Sequence, residues 1–142
     1  MPVIRRGEPS DLEAIQRIQT VSPEAAQWDP PDYLNYDLFV AVCDGQIAGF
    51  LVMRLLGPPE SAMECEVLNL AVAPEQRGHG VARNLLEAFL GGYSGVTYLE
   101  VRESNGRARN FYKSMGFQEV NRRENYYLSP MEAAIVMKFH SC

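Results

Sequence analysis

Apolar residues along this chain form short runs that are separated by Gly, Pro, Asp and Asn, a pattern typical of β-strands joined by turns. Asp44-Gly45 lies between two of these runs and predicts the turn of a β-hairpin. The strands are predicted over Val3–Arg5, Leu38–Val42, Ile47–Leu55, Met63–Val72, Val96–Arg102, Phe117–Asn121 and Ala133–Phe139.

The first helix is predicted to begin at a capping box, in which Ser10 is the N-cap residue and Glu13 follows three positions later. The helix continues through Thr20. Its apolar face shows helical spacing and is predicted to consist of Leu12, Ile15, Ile18 and Gln19.

Two further helices are predicted over Val81–Leu90, which stops at a Gly-Gly pair, and over Arg107–Met115. The segment Val21–Tyr36 is predicted to be irregular, because three prolines interrupt it while Trp28 and two tyrosines supply aromatic rings. The order of elements is therefore β-α-β-β-β-α-β-α-β-β.

Length and composition favour one globular domain, residues 1–142. The 142 residues are 46% hydrophobic and 22% charged, which excludes a disordered chain. No apolar run reaches the 18 residues or so that a membrane span needs, and the N-terminal residues contain no apolar leader. A cytoplasmic protein, monomeric or weakly dimeric, is expected.

Net charge and cysteine content argue against three further classes: nucleic-acid-binding proteins, metalloproteins and disulfide-rich proteins. The net charge of −5 argues against nucleic-acid binding and suits a basic partner. The chain has three cysteines, an odd number without a Cys-x-x-Cys pair: Cys43, Cys65 and Cys142. Neither a metal site nor a disulfide framework is therefore expected. The first two of these cysteines are predicted to be small core residues.

A glycine-bearing turn between the fourth strand and the second helix carries the strongest chemical signal. The segment Arg77–Ala82 (RGHGVA) leads straight into a helix, whose first N–H groups have no partner within the helix and whose dipole favours an anion. Glycines let a phosphate approach the backbone closely. The turn lacks the lysine of a Walker phosphate loop and the spacing of a dinucleotide fingerprint.

These residues resemble the GNAT superfamily of N-acetyltransferases. Arg77–Ala82 matches the Arg/Gln-x-x-Gly-x-Gly/Ala motif for the pyrophosphate of acetyl-CoA. Leu99–Asn105, Asn110–Phe117 and Arg122–Tyr127 match further motifs, in the form found in the ribosomal-protein-alanine N-acetyltransferase (RimI) branch. The resemblance runs from about Asn69 to Met137.

The resemblance implies an α/β (α+β) GNAT fold, a mixed and mostly antiparallel sheet of about seven strands flanked by about four helices. Two central strands splay apart in this fold, and the pantetheine arm of acetyl-CoA lies between them. Here they would be Val67–Val72 and Val96–Arg102. The implied cofactor-binding residues are Leu70, Ala71, Val72, Arg77, Gly78, His79, Gly80, Val81, Ala82, Arg83, Asn105 and Tyr112. His79 by itself is more typical of a solvated loop.

Two glutamates compete for the role of catalytic base. Glu100 stands within an apolar strand, where an unpaired carboxylate is costly to bury, and it matches the proton acceptor of the RimI pattern. Its alternative is an exposed glutamate paired with a residue such as Arg102. Glu66 matches the position of the glutamate base in other GNAT enzymes, and its alternative is a solvent-facing strand end.

Tyr112 is the candidate general acid, because a phenol stays protonated at neutral pH and can donate to a leaving thiolate. Its alternative role is packing on Phe117. Asn105 is expected to bind the cofactor arm, cap the next helix, or both. The aromatic residues of Trp28–Tyr36 and the pair Tyr126-Tyr127 are the expected walls of the acceptor site.

The predicted function is direct transfer of acetyl from acetyl-CoA to an amine in a ternary complex, because no Cys-His or Ser-His nucleophile is evident. The resemblance implies a protein N-terminal α-amine as acceptor. The alternatives are a GNAT enzyme acting on a small amine or an internal lysine, and an acyl-CoA-binding module without turnover.

Overall fold

The computed structural model describes residues 2–23, 25–58, 63–128 and 131–141. Its strands are β1 (Val3–Arg6), β2 (Asp37–Cys43), β3 (Gln46–Leu55), β4 (Glu64–Val72), β5 (Gly95–Arg102), β6 (Gln118–Tyr127) and β7 (Glu132–Ser141). Its helices are α1 (Leu12–Thr20), α2 (Val81–Gly91) and α3 (Gly106–Ser114), with shorter 3₁₀ helices at Pro9–Asp11, Pro30–Asn35 and Pro74–Gln76. The predicted order of elements is confirmed.

The strands form one seven-stranded sheet in the order β1-β2-β3-β4-β5-β7-β6. Only β4 and β5 are parallel, and every other neighbouring pair is antiparallel. The mixed sheet with three α-helices and the six-residue 3₁₀ helix Pro30–Asn35 confirms the predicted fold class. The Asp44-Gly45 hairpin is confirmed as well, since both residues have positive φ, 50° and 76°.

Two apolar clusters cover the two faces of the sheet. One lies under α2 and α3 and contains the fully buried side chains of Leu85, Leu86 and Met137. The other lies under α1 and the 3₁₀ helix and contains Ile15 and Phe50. The predicted apolar face of α1 is confirmed, because burial of these side chains fixes the helix to the sheet.

The splay between β4 and β5 is present where it was predicted. The two strands pair only over Glu64–Glu66 and Val96–Tyr98, although β4 continues to Val72 and β5 to Arg102. A register shift against β3 leaves Leu68 as an extra residue in β4. Such a bulge bends its strand, which accounts for the separation of β4 from β5 just beyond Glu66.

The structure corrects the predicted start of α1. Ser10 is not the N-cap, because the helical turn begins earlier at Pro9, whose fixed φ suits the first helical position. The carboxylate of Asp11 accepts a hydrogen bond from the Glu8 N–H at 2.7 Å and two from the Arg5 guanidinium at 2.8 and 3.0 Å. Asp11 therefore holds this end of the helix through the main chain of Glu8 and through Arg5 on β1.

β6 extends further than the predicted Phe117–Asn121. It is the outer strand of the sheet and pairs only with β7, so its backbone hydrogen bonds continue where the apolar pattern has ended. Its residues 118–126 are exposed and rich in charge, which protects an edge strand from pairing with another chain.

Three other sequence expectations concern cysteines, metals and membranes. Cys65 is a buried free thiol and Cys43 a partly buried one, while Cys142 lies outside the described residues. Among the described residues, no group of three or more His, Cys, Asp or Glu side chains is arranged to hold a metal ion. No helix in the described ranges is long and apolar enough to cross a membrane.

The partly buried Asp11–Arg5 pair predicts a pH-dependent contribution to stability. The Arg5 guanidinium lowers the pKa of the Asp11 carboxyl below its usual range. The contribution is therefore present above the unfolded-state pKa of about 3.9 and is lost as the pH falls through the lower folded-state value. Asp11→Asn should lower the free energy of unfolding by about 1–2 kcal/mol at pH 7. Urea unfolding at pH 7 and pH 3 measures this.

Glu13→Gln is the matched control, because Glu13 pairs with Arg17 on the exposed face of the same helix, where such pairs contribute little. The free energy of unfolding should barely change in this variant. Equal losses in both variants, or an Asp11→Asn effect that persists undiminished at pH 3, would contradict the assignment.

Candidate active site

One cavity of about 440 Å³ collects nearly all of the predicted cofactor-binding residues. It lies where the end of β4, the turn before α2 and the first turns of α3 meet. Its lining includes these predicted cofactor-binding residues: Leu70, Ala71, Val72, Arg77, Gly78, Gly80, Val81, Ala82, Arg83, Asn105 and Tyr112. His79 is exposed and is not part of the lining, as its position in a solvated loop suggested. We refer to this space as the cofactor cavity.

The glycines of the turn are required by backbone conformation. Gly78 and Gly80 have φ values of 81° and 79°, and a Cβ at either position would meet no other atom within 4 Å. Gly80 is the N-cap of α2, and its carbonyl accepts the first intrahelical bond, from the Asn84 N–H at 2.9 Å. Gly80 has no side chain with which to cap this end, so the first N–H groups of the helix are suited to bind an anion.

Arg77 braces the turn. Its Nε donates to the carbonyl of Val72 at 3.1 Å, and its Nη2 donates to the Ser22 Oγ at 3.0 Å. These bonds join the turn to the end of β4 and to the segment after α1. The guanidinium therefore stabilises the shape of the phosphate turn, and backbone N–H groups and the helix dipole remain as its contribution to anion binding.

A second cavity, of about 620 Å³, opens from the first and is referred to as the acceptor cavity. The two share Leu70, Asn105, Ala108 and Tyr112, so they meet at the gap between β4 and β5. The acceptor cavity is further enclosed by residues 25–28 and Tyr127. Two of the predicted aromatic wall residues thus line it, Trp28 and Tyr127.

The other predicted wall residues lie elsewhere. Tyr33 is fully buried beneath Trp28, with ring centroids 6.3 Å apart. Tyr126 is about half exposed and lies under the Arg123 guanidinium, 4.4 Å from ring centroid to Cζ. Burial raises the pKa of Tyr127 to about 12, and the nearby charge of Glu100 adds to this effect.

Tyr112 occupies the boundary between the two cavities. Only 7% of the residue is exposed, and its ring packs edge-on against Phe117 at 5.4 Å between centroids. The packing on Phe117 that was expected as the alternative to a general-acid role is present, and Tyr112 lines both cavities as well. Burial raises the pKa of this phenol far above its usual range. The hydroxyl is therefore protonated at neutral pH and can only donate its proton to a stronger base formed beside it.

Glu100 lines the acceptor cavity from β5. Its Oε1 accepts a hydrogen bond from Arg123 Nη1 at 3.1 Å, while its Oε2 is buried and has no hydrogen-bond partner among the described residues. The expected alternative partner, Arg102, bonds instead to Glu132 at 3.3 Å. One carboxylate oxygen is thus held by Arg123, and the other is buried without a hydrogen-bond partner among the described residues, a costly state that a polar group could relieve.

Glu66 is in a different situation. Its carboxylate forms an ion pair with Arg54, its register neighbour on β3, and does not line the acceptor cavity. It lines a third cavity of about 420 Å³, which Glu100 also borders. Glu64 on the same face accepts a hydrogen bond from the Tyr98 hydroxyl at 3.2 Å. The two candidate bases therefore differ in access to the boundary with the cofactor cavity.

The position of Asn105 is compatible with both of its expected roles, capping the next helix and binding the cofactor arm. Its side chain accepts a hydrogen bond from the Ala108 N–H at 3.2 Å and so caps α3. It also lines both the cofactor cavity and the acceptor cavity. The cap fixes the direction in which α3 leaves β5, and Tyr112 follows about two helical turns after Asn105.

A buried polar network beside the acceptor cavity was not anticipated from the sequence. The Tyr33 hydroxyl donates to Gln19 Oε1 at 2.5 Å and accepts from Asn69 Nδ2 at 3.0 Å. Asn69 also accepts from the Ala26 N–H at 3.3 Å and donates to the Ala26 carbonyl at 2.9 Å, and Gln19 donates to the Trp28 carbonyl at 2.5 Å. The signal was an asparagine within an apolar strand and a glutamine on an apolar helix face.

The cofactor cavity also contains lining residues that the motif did not indicate. They are Gln76, Arg107, Ala108 and Phe111. Ala108 lies four positions before Tyr112 and three before Phe111, so it shares a helix face with each of them, and this spacing is the signal that could have identified it. Arg107 is exposed at the second position of the helix, where nothing in the sequence pattern distinguishes it.

Known proteins resemble this chain in sequence. The chain is 41% identical over 86 residues to the N-alpha-acetyltransferase RimI of Mycobacterium tuberculosis, covering 58% of this chain and 52% of that protein, so the match spans about half the length of that relative. It is 35% identical over 111 residues to the ribosomal protein bS18-alanine N-acetyltransferase of Escherichia coli strain K12, covering 74% of this chain and 70% of that protein.

The fold comparison agrees with the sequence comparison. The crystal structure of the ribosomal-protein-S18-alanine N-acetyltransferase from Escherichia coli superimposes with a TM-score of 0.83 at 29% identity, covering 99% of this chain and 94% of that chain. Residues 35–119 match the acetyltransferase (GNAT) domain family, a range that includes the phosphate turn, Glu100 and Tyr112. The chain therefore belongs to the GNAT acetyltransferase family.

Proposed function

We propose that the protein is an acetyl-CoA-dependent N-acetyltransferase that acts on the N-terminal α-amine of a protein. The observation that carries this proposal is the position of Tyr112, which lies at the boundary between the cofactor cavity and an acceptor cavity that Glu100 also lines. A proton donor and a proton acceptor thus border the place where the two substrates would meet.

The two cavities match the two substrates in chemistry. The turn and the start of α2 suit the pyrophosphate of acetyl-CoA, because they combine backbone N–H groups with the positive end of a helix dipole. The gap between β4 and β5 suits the pantetheine arm, whose amides can bond to strand backbone left unpaired beyond Glu66. The acetyl thioester would then lie beside Leu70 and Tyr112, which line both cavities.

The proposed reaction is direct attack of the amine on the thioester carbonyl. The α-amine, mostly an ammonium near pH 7, first gives one proton to solvent with the help of Glu100. A C–N bond then forms while the C–S bond breaks through a tetrahedral intermediate, and the nitrogen loses its second proton. Glu100 accepts that proton directly or through one water, and Tyr112 gives its own proton to the departing coenzyme thiolate. The phenolate is returned to the phenol by solvent or by Glu100 after product release, so protons balance over the cycle.

An α-amine is the acceptor best suited to this site. Its ordinary pKa of about 7.7–8.0 means that a carboxylate is a sufficient base, whereas a lysine at about 10.4 needs a stronger one. The two relatives named above carry N-terminal amine acceptors in their names, as an N-alpha-acetyltransferase and a ribosomal-protein alanine acetyltransferase. The acidic net charge of −5 also suits a basic protein partner.

The acceptor prediction is tested by mass spectrometry of peptides incubated with the protein and acetyl-CoA. The pool contains peptides with free N-terminal alanine or serine, matched N-blocked peptides with an internal lysine, and simple polyamines. Acetyl should appear on the α-amines alone. Acetylation of lysine or of a polyamine would contradict the proposed α-amine acceptor. Binding of acetyl-CoA without any acetyl transfer would favour an acyl-CoA-binding module.

Tyr112→Phe should lower kcat by roughly 100-fold or more, a typical contribution of a general acid, because the thiolate then leaves without a proton donor. The aromatic packing on Phe117 is retained, so the affinity for acetyl-CoA should stay within about threefold of the wild type. Steady-state kinetics and calorimetric titration measure the two quantities separately. An unchanged kcat would remove Tyr112 from the mechanism.

Glu100→Gln should lower kcat by about 100-fold near pH 7, since the base is lost. The loss should shrink as the pH rises past about 8, where the α-amine deprotonates by itself. The measurement is kcat between pH 6 and pH 10 with an alanine-initiated peptide.

Glu66→Gln is the matched control for Glu100→Gln. It removes a carboxylate of the same sheet face that is paired with Arg54 and lies outside the acceptor cavity. Its kcat should remain within about threefold of the wild type at every pH. The reverse pattern, a large effect in Glu66→Gln and a small one in Glu100→Gln, would transfer the role of base to Glu66.

A further inference from the structure

The lining of the cofactor cavity is positively charged, although the chain as a whole has a net charge of −5. The protein has 18 acidic and 13 basic side chains, yet the described lining of this cavity contains three arginines and no aspartate or glutamate. The arginines are Arg77, Arg83 and Arg107. A concave surface with one sign of charge attracts ligands of the opposite sign. The lining therefore indicates a ligand with several negative charges, more than one phosphate group would supply.

The three arginines differ in how far they are already engaged. Arg77 donates to the Val72 carbonyl and to Ser22 Oγ, and so supports the turn. Arg83 donates to Ser114 Oγ at 3.1 Å. Arg107 makes no hydrogen bond and no ion pair within the described part of the chain, although it lines the cavity and is exposed to solvent. Its guanidinium is the cation that remains for a ligand.

The position of Arg107 separates it from the phosphate turn. The turn and the start of α2 follow β4, whereas Arg107 follows β5 at the start of α3, so the two line the cavity from opposite sides of the gap. The turn already provides N–H groups for one anion. An exposed guanidinium on the opposite side suits a second anion that the ligand carries near solvent, and a guanidinium binds phosphate oxygens in pairs.

We propose that Arg107 binds the 3′-phosphate of coenzyme A and makes the protein select the complete coenzyme over its 3′-dephospho form. This inference rests on the proposed function, because it takes acetyl-CoA as the donor. It assigns Arg107 as a specificity-determining residue that contacts the cofactor far from the acetyl group and takes no part in acetyl transfer.

The test is calorimetric titration of the full chain with acetyl-CoA and with acetyl-3′-dephospho-CoA. The wild type should bind acetyl-CoA about fivefold to tenfold more tightly, the effect of one exposed charge-assisted phosphate contact. Arg107→Ala should lose this preference by weakening acetyl-CoA alone, and Arg107→Lys should keep part of it. The preference should also shrink as salt is raised from 0.05 to 0.5 M, since the contact is exposed.

Arg17→Ala is the matched control, because it removes one exposed positive charge from α1 and does not line the cofactor cavity. It should keep the wild-type preference. Circular dichroism confirms that each variant is folded. Equal binding of both donors by the wild type, or an equal loss for both donors in Arg107→Ala, would overturn the assignment. Absence of any acetyl-CoA binding by the wild type would instead overturn the proposed function on which it rests.

Discussion

The separation of β4 from β5 is the constraint on which the rest of the site depends. The strands share only three residue pairs, Glu64–Glu66 with Val96–Tyr98. Each stays in the sheet beyond this point because its other neighbour holds it, β3 along β4 to Val72 and β7 along β5 to Arg102. The gap is therefore rigid, although it interrupts a sheet. Backbone groups along it lack a strand partner, and a ligand with amide groups can take that place.

The proposed catalytic residues border this gap and lie within one short stretch of chain. Glu100 is held by β5, Tyr112 by α3, and Asn105 joins the two by capping the helix where the strand has ended. Few conformational degrees of freedom separate the proposed base from the proposed acid, since a strand, a cap and two helical turns fix the path between them. The phosphate turn, by contrast, belongs to the separate segment after β4. The proposed catalytic residues and the proposed pyrophosphate seat thus lie on opposite sides of the gap.

The sequence predicted those features that local pattern determines. Alternating apolar runs located the strands, the Asp44-Gly45 turn located the hairpin, and the glycines before α2 located the cofactor cavity. Features that depend on pairing between different elements could not be read in this way. The cap at Asp11 is selected by Arg5, Glu100 is paired with Arg123 through a strand register that bulges alter, and β6 is defined by pairing with β7 alone. In each case the deciding partner lies on another element.

The network of Gln19, Tyr33 and Asn69 has a consequence for how the acceptor preference of such an enzyme can change. Its hydrogen bonds reach residues 25–28 through main-chain atoms, the N–H and carbonyl of Ala26 and the carbonyl of Trp28. Exchange of the side chains of Ala26 and Trp28 therefore removes none of these bonds. The wall of the acceptor cavity keeps its position while its surface varies, so new acceptor preferences can arise by substitution without rebuilding the catalytic machinery.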